Sequence, residues 1–484
     1  MAPARRRYGV ELALYNRRLL CDKPSTPLKV LYSMIRRIIK KVFGRKPNIK
    51  VSDARILPLD KHGIRRDQLD DCALDVCEKL ADAGFKGYVV GGAVRDLLLD
   101  KRPKDFDVAT DANPNQVRRL FRRSRIIGKR FQIVHVMCGR ETIEVTTFRA
   151  NGQKEADEED ERPTDEHGRL LSDNIFGNQA DDAARRDFTV NALYYDPERE
   201  EIHDYFGGVA DCKKRVLRMI GDPETRFRED PVRMLRAARF AAKLDFHIDP
   251  ATRKPVAELA PLLANIPRAR IFDEALKLLL SGHALRGVHQ LRAEGLHHGM
   301  LPLLDTILDD PTGGPFITAA LKSTDQRIRD DRPASPAFLF ATLLWPQVAQ
   351  RWKDLEAGGE KSIPALFTAM DEVLDAQRGQ LAIPRRYDGM MKEVWAVQPR
   401  FEQRGGQRPY RLLEHPRFRA AYDFLLLRAE SGEIDQELAG WWTRFQEADE
   451  AERQSMLKPD SGPKSRRRRP RKSPAGDSAE STPA

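Results

Sequence analysis

Asp105, Phe106 and Asp107 place two carboxylates two residues apart. In a strand, residues i and i+2 leave the same face, so this spacing aims both aspartates together while Phe106 packs inward. Adjacent negative charges repel unless a proton or a cation lies between them. Hard oxygen donors suit Mg²⁺ or Mn²⁺, ions that also take phosphate oxygens and water. A D-x-D pair alone is common on protein surfaces. Here it lies thirteen residues after the Gly92 of a Gly-Gly turn, and that placement gives it meaning.

The turn reads Val90-Gly91-Gly92-Ala93-Val94-Arg95. Glycines let backbone N–H groups approach phosphate oxygens, and a following helix N-terminus favours an anion. Arg95 adds a cation for a charge-assisted contact. Close strand–helix packing explains the glycines equally well by themselves. It explains less well a strand, turn and helix followed directly by paired carboxylates.

A third carboxylate has two candidates. Ile143-Glu144-Val145-Thr146 alternates apolar and polar residues, which puts Glu144 on a strand face beside the aspartates. Asp187, within Arg185-Arg186-Asp187-Phe188-Thr189-Val190-Asn191, is the other. Either acid can ligate a metal or help deprotonate an attacking hydroxyl. Further along, Asp230-Pro231-Val232-Arg233-Met234-Leu235-Arg236 starts a helix with Pro in its first turn. Asp230, Arg233 and Arg236 then lie near one another around one side. An Asp–Arg pair matches the donor–acceptor edge of adenine and that of cytosine, so the motif fits ATP or CTP.

These residues need a scaffold, and the pattern of the chain supplies one. Leu69 to Ala83 reads as a helix stopped by Gly84, Tyr88 to Val90 as a strand, and Phe106 to Val108 as another. Asn113-Pro114 caps a third helix, and Ile126 to Met137 and Thr142 to Phe148 read as further strands. Beyond Asp211 helical stretches dominate, among them Ala269 to Leu280, Ala337 to Leu344 and Phe418 to Ala429. The expected class is α+β: a small mixed α/β head, then an all-helical neck and body, then a disordered basic tail. The expected divisions are a basic arm over 1–65, the head over 66–210, a nucleotide-selecting neck over 211–280, a body over 281–457 and the tail over 458–484.

The arm contains a basic amphipathic pattern from Leu28 to Phe43, read as packing or partner binding ahead of membrane docking. An acidic run, Glu155 to Glu161, reads as a solvated loop. The tail carries Arg466-Arg467-Arg468-Arg469-Pro470-Arg471-Lys472, a composition that buries no core and suits a nucleic-acid tether. Across 484 residues, 84 Lys plus Arg outnumber 73 Asp plus Glu, a net charge of +11 that favours a polyanionic partner. No apolar run is long enough to span a membrane. Five cysteines, Cys21, Cys72, Cys77, Cys138 and Cys212, fit no zinc or disulfide spacing, so a reducing, cytoplasmic compartment is expected. His203-Asp204 has no supporting metal ligand at a useful spacing and reads as the end of a strand before Gly207-Gly208.

Together the motifs resemble the class II nucleotidyltransferases, which include tRNA CCA-adding enzymes and bacterial poly(A) polymerases. Arg125-Ile126-Ile127-Gly128-Lys129-Arg130-Phe131, Asp173-Asn174-Ile175-Phe176-Gly177, Pro336-Ala337-Phe338-Leu339-Phe340 and Leu413-Glu414-His415-Pro416-Arg417-Phe418 look like the poly(A) polymerase branch. The resemblance covers roughly residues 60 to 450 and the character of the tail. It implies an ATP-using polymerase in which Asp105 and Asp107 hold the metal and Gly91, Gly92 and Arg95 the phosphates. It further implies that Arg185, Arg186, Asp187 and Asn191 contact ribose and phosphate, while Asp230, Arg233 and Arg236 select the base. RNA 3′ ends are the implied acceptor, with RNA-decay proteins as candidate partners. A CCA-adding enzyme is the runner-up, and a non-catalytic RNA-binding protein the reading from another class.

Overall fold

The computed structural model describes residues 53–128, 132–139, 141–150, 176–296, 314–380 and 383–458. Residues 1–52 of the basic arm, the acidic run, Lys129 to Phe131, Asp173 to Ile175 and the Arg-rich tail lie outside the described residues. The end of the expected arm, 53–65, is described and contributes the strand Arg55–Leu57 to the head's sheet.

The head is built on one mixed sheet. In sequence its strands are β1 (Arg55–Leu57), β2 (Gly87–Val90), β3 (Asp107–Thr110), β4 (Ser124–Ile127), β5 (Ile133–Cys138), β6 (Glu141–Thr147), β7 (Leu193–Asp196) and β8 (Glu201–Asp204). In space they run β1-β8-β7-β2-β3-β6-β5-β4. The β3–β6 pair is parallel, and the other neighbours are antiparallel. The stretch expected as one strand from Ile126 to Met137 is instead the two strands β4 and β5, paired through Ile126 and Val134.

Strand alternation divides the sheet into two faces. Val89, Val108, Val134, Val136, Ile143 and Val145 form the core that α1 (Asp71–Asp82) and α3 (Pro114–Leu120) cover, α2 (Gly92–Leu98) following β2. Asp70 caps α1 by accepting from the Cys72 and Ala73 N–H groups, and Gly84 takes a positive φ just beyond its end. On the other face Tyr88, Val90, Ala109, Phe148 and Tyr194 pack with Ala183 of α4 (Gln179–Arg185).

His203 and Asp204 close β8, as expected. The Asp204 carboxylate then accepts from the N–H groups of Phe206, Gly207, Gly208 and Val209, which starts α5 (Gly208–Lys214). That tight turn brings Gly208 against β7. A Cβ at Gly208 would lie 2.3 Å from the Thr189 carbonyl oxygen, a backbone atom. Gly208→Ala is therefore expected to destabilise the fold by about 1–3 kcal/mol, read as a lower urea midpoint with an unchanged slope.

Beyond the head the described residues are mostly helical. The exception is a two-stranded parallel pair, β9 (Val216–Leu217) with β10 (His247–Ile248), which ties the head's exit to the end of a neck helix. The helices that matter for the site are α6 (Pro223–Glu229), α7 (Val232–Leu244) and α8 (Arg268–Leu279). One apolar core runs without a break from Leu57 in the head to Leu427 in the body. A second cluster, centred on Phe401, Trp442 and Phe445, closes the C-terminal helices.

Candidate active site

β2 ends at Val90 and the chain turns at Gly91, where φ is +71°. Non-glycine residues rarely adopt that conformation, and a Cβ would also lie 3.1 Å from the Arg186 guanidinium. One turn into α2, Arg95 is only 3% exposed. A buried guanidinium requires partners. Arg95 donates to Asn191 and twice to Asp96, at 2.9 and 2.7 Å, with the Phe240 ring 5.5 Å away.

Asp107 opens β3 directly opposite Val90 on one side and Glu144 on the other. Burial, then the Glu144 and Asp105 charges, push its carboxyl up to about 6, against an opposing pull from Arg186. Glu144 and Asp105 thus lie close enough for their charges to be felt at Asp107. Asp105 departs from the strand geometry expected of it. The strand starts only at Asp107, because β2 turns away after Val90 and leaves no partner opposite Asp105. Asp105 is exposed and lines a neighbouring cleft of about 890 Å³ with Lys104 and Glu141.

The two candidates for the third acid are placed differently. Glu144 is in register with Asp107 and approaches His135 Nε2 at 3.4 Å. Asp187 is buried with both oxygens engaged. One accepts from Asn191 and from the Phe188 N–H, and the other accepts twice from Arg236 at 2.6 and 2.9 Å. Burial opposes its charge, yet Arg236 and Asn191 prevail and hold the carboxyl down to about 2. Asp187 therefore acts as an anchor between head and neck.

Arg186 is fixed by Tyr194 and Asp182, each at 3.1 Å. Arg226 donates to the carbonyls of Arg185 and Arg186 at 2.7 and 2.8 Å, so it shapes the backbone that carries them. Across from these groups, Pro231 precedes α7 and presents Asp230, Arg233 and Arg236 to the same space. Asp230 does not pair with Arg233. It accepts a two-pronged contact from Arg270 of α8, at 3.0 and 2.9 Å, while Arg233 lies 3.5 Å from Glu229.

The result is a cleft of about 660 Å³. Gly91, Gly92, Arg95, Asp107, Arg185, Arg186, Asp187 and Asn191 line its head side, and Asp230, Arg233 and Arg236 its neck side. Of the expected site residues, Asp105 and Glu144 stand outside this lining, near Asp107. Seven basic side chains against five acidic ones make the cleft suited to a triphosphate. Arg226, Phe240, Arg270, Glu274 and Lys277 were not singled out from sequence. The last three recur along one face of a recognised helix, and that spacing was the available signal.

Among the described residues, the tightest group of potential metal ligands lies elsewhere: Asp70, Cys72 and Glu141, with ligand atoms within 4.8 Å of one another. Asp70 is there the cap of α1. None of the described helices is long and apolar enough to cross a membrane.

Comparison with known proteins gives the same family along most of the chain. Residues 87–218 match the family described as the poly A polymerase head domain. Residues 245–308 match a probable RNA and SrmB-binding site of polymerase A, and residues 358–473 a polymerase A arginine-rich C-terminus. Poly(A) polymerase I of Salmonella typhimurium is 44% identical over 461 residues, 91% of this chain and 98% of its own. Poly(A) polymerase I of Haemophilus influenzae is 46% identical over 391 residues, 80% and 86% of the two chains. A CCA-adding enzyme of Lactobacillus helveticus is 41% identical over 224 residues, 46% of this chain and 53% of its own. Among solved structures, a tRNA-processing enzyme with CTP superposes with a TM-score of 0.55 at 21% identity, over 77% of this chain and 92% of that one. This last likeness is one of fold.

Proposed function

The chain belongs to the poly(A) polymerase I family, and on that footing we propose how its own residues transfer AMP from ATP to RNA 3′ ends. The observation that carries this reading over tRNA CCA addition is the extent of the match. Likeness to the CCA-adding enzyme spans 46% of the chain, whereas likeness to poly(A) polymerase I spans 91%.

In this reading the triphosphate lies along the Gly91-Gly92 turn. Arg95 is held rigid beneath the turn by Asn191 and Asp96 and completes an anion-binding floor. Arg185 and Arg186 line the flank of the cleft. The base lies against α7, where Arg233 meets its edge and Asp230, fixed by Arg270, supplies the acceptor. Reading the base by side chains removes any need for a template.

Asp105, Asp107 and Glu144 are the acids of the transfer step. Their donor set, hard oxygens whose charge is poorly balanced, fits a divalent cation such as Mg²⁺ or Mn²⁺. Bound there, the ion supplies charge neutralisation at the phosphates and acidifies the attacking hydroxyl. The RNA 3′ oxygen forms a bond to the α-phosphorus as the bond to pyrophosphate breaks, in line. Asp187 takes no proton. It keeps Arg236 and Asn191 in position, and through Asn191 it keeps Arg95 in position as well. The tails so made would mark RNA for processing and decay, with decay proteins as partners.

Base selection is tested by comparing ATP and CTP on the wild type and on Arg233→Ala. The variant is expected to raise KM for ATP about tenfold, the cost of one charge-assisted contact, and to narrow the preference for ATP over CTP. An unchanged ATP-to-CTP ratio would remove Arg233 from base selection.

A further inference from the structure

Register across the sheet connects the acids to its edge. Asp107 on β3 faces Glu144 on β6, Glu144 faces His135 on β5, and His135 faces Arg125 on β4. Directly opposed residues in a sheet share a face, so the four form one transverse row. Three strand spacings separate its ends, about 14 Å in all.

The far end of the row is strongly basic. Arg125 stands there with Arg123 two residues before it on the same strand edge and Arg122 in the turn, and all three are exposed. Arg118 and Arg119, also exposed, sit at the end of α3 just behind this edge. Among the described residues none of their side chains has a hydrogen-bond or ion-pair partner. Elsewhere on this protein exposed arginines commonly pair, as Arg228 does with Glu224 and Arg351 with Glu372. Guanidinium groups clustered at and behind a short edge, without partners among the described residues, raise the local potential and attract a polyanion. Between edge and acids the row offers His135, 30% exposed, whose ring can stack on a base. Met137 and Ile127 stand exposed one alternation along the same two strands.

We propose that the single-stranded 3′ end of the acceptor RNA crosses the head along the row Arg125–His135–Glu144–Asp107, with its upstream phosphates held by Arg122, Arg123 and Arg125. The track rests on the reading of the cleft as an ATP site, because it brings the terminal hydroxyl to Asp107 from the side opposite α7. It also gives the head its own hold on RNA, separate from the body and the basic tail. Backbone contact of this kind is indifferent to sequence and sensitive to salt.

The test uses the full chain and the triple variant Arg122→Ala/Arg123→Ala/Arg125→Ala. These side chains are exposed and unpartnered among the described residues, so the fold should persist, and thermal melting verifies that. Binding of a fluorescent oligoadenylate without ATP is followed by anisotropy across a salt series. The proposal predicts binding weakened about tenfold or more and a salt slope reduced by about 0.7 for each phosphate no longer neutralised. In extension assays it predicts a raised KM for RNA, with KM for ATP within about twofold of wild type. The matching triple Lys variant should recover much of the missing affinity, because charge rather than fork geometry is the requirement.

Equal oligoadenylate binding and equal salt slopes in wild type and the Ala variant would overturn the track. That result is distinct from failure of the ATP reading, which would show as no extension by the wild type while its RNA binding remained. A parallel rise in KM for ATP would also count against the track, since it would place the arginines at the nucleotide cleft instead.

Discussion

Asp107→Ala is expected to lower RNA extension by at least about a thousandfold, since removing one preorganised electrostatic group from a transfer site already costs that order. The same change is expected to leave the fold as stable as before, or more so. Asp107 is held against burial and against Glu144 and Asp105, which is why its carboxyl is pushed up to about 6. Near neutral pH the folded state therefore carries an ionised group that it disfavours, and alanine relieves that cost. Asp105→Ala should share the loss of activity. Loss of turnover with an unchanged or raised melting temperature is the signature of a functional carboxylate. An active Asp107→Ala enzyme, or an inactive one that is unfolded, would contradict the assignment.

The second large effect is expected at Asp187. Its carboxylate is buried and paired with Arg236. Breaking such a pair from one side costs up to about 3–5 kcal/mol, lessened here because Arg236 keeps its 3.4 Å contact with Glu274. Asp187→Ala should therefore lose stability, and ATP binding with it, because Asn191 and Arg95 are held through the same cluster. The linkage sign follows from a folded pKa depressed to about 2 below the ordinary 3.8. The contribution is fully present above about pH 4 and is lost as pH falls toward 2. Urea melts of wild type and Asp187→Asn should differ most near neutrality and converge at low pH. A gap that stayed constant with pH would show that the Arg236 pairing is not what Asp187 contributes.

Much of this site was legible in the sequence because its parts are local. The Gly91-Gly92 turn, the carboxylates that follow it and the Pro231 helix start are each set by neighbours a few residues away. Strand alternation also placed Glu144 correctly beside Asp107. Long-range pairing was not legible. Asp187 with Arg236 and Asp230 with Arg270 join residues 49 and 40 positions apart, and no periodicity states which arginine meets which acid. Helical spacing brought Asp230, Arg233 and Arg236 to one side of the helix, but it could not show that Arg270 on the facing helix grips Asp230 with a two-pronged contact. Strand ends were misjudged for a similar reason. Asp105 falls outside β3 because the neighbouring strand turns away at Gly91, a tertiary fact. The transverse row from Asp107 to Arg125 exists only in the register of four strands and has no linear signature.

The most direct test of the central claim is product length from single nucleotides. Purified protein is given an unstructured RNA, Mg²⁺ and one nucleoside triphosphate at a time, with tRNA as a parallel acceptor. Long homopolymer tails from ATP alone, on the unstructured RNA and absent in Asp107→Ala, are the predicted result. Extension confined to tRNA and drawing on CTP as well as ATP would contradict it.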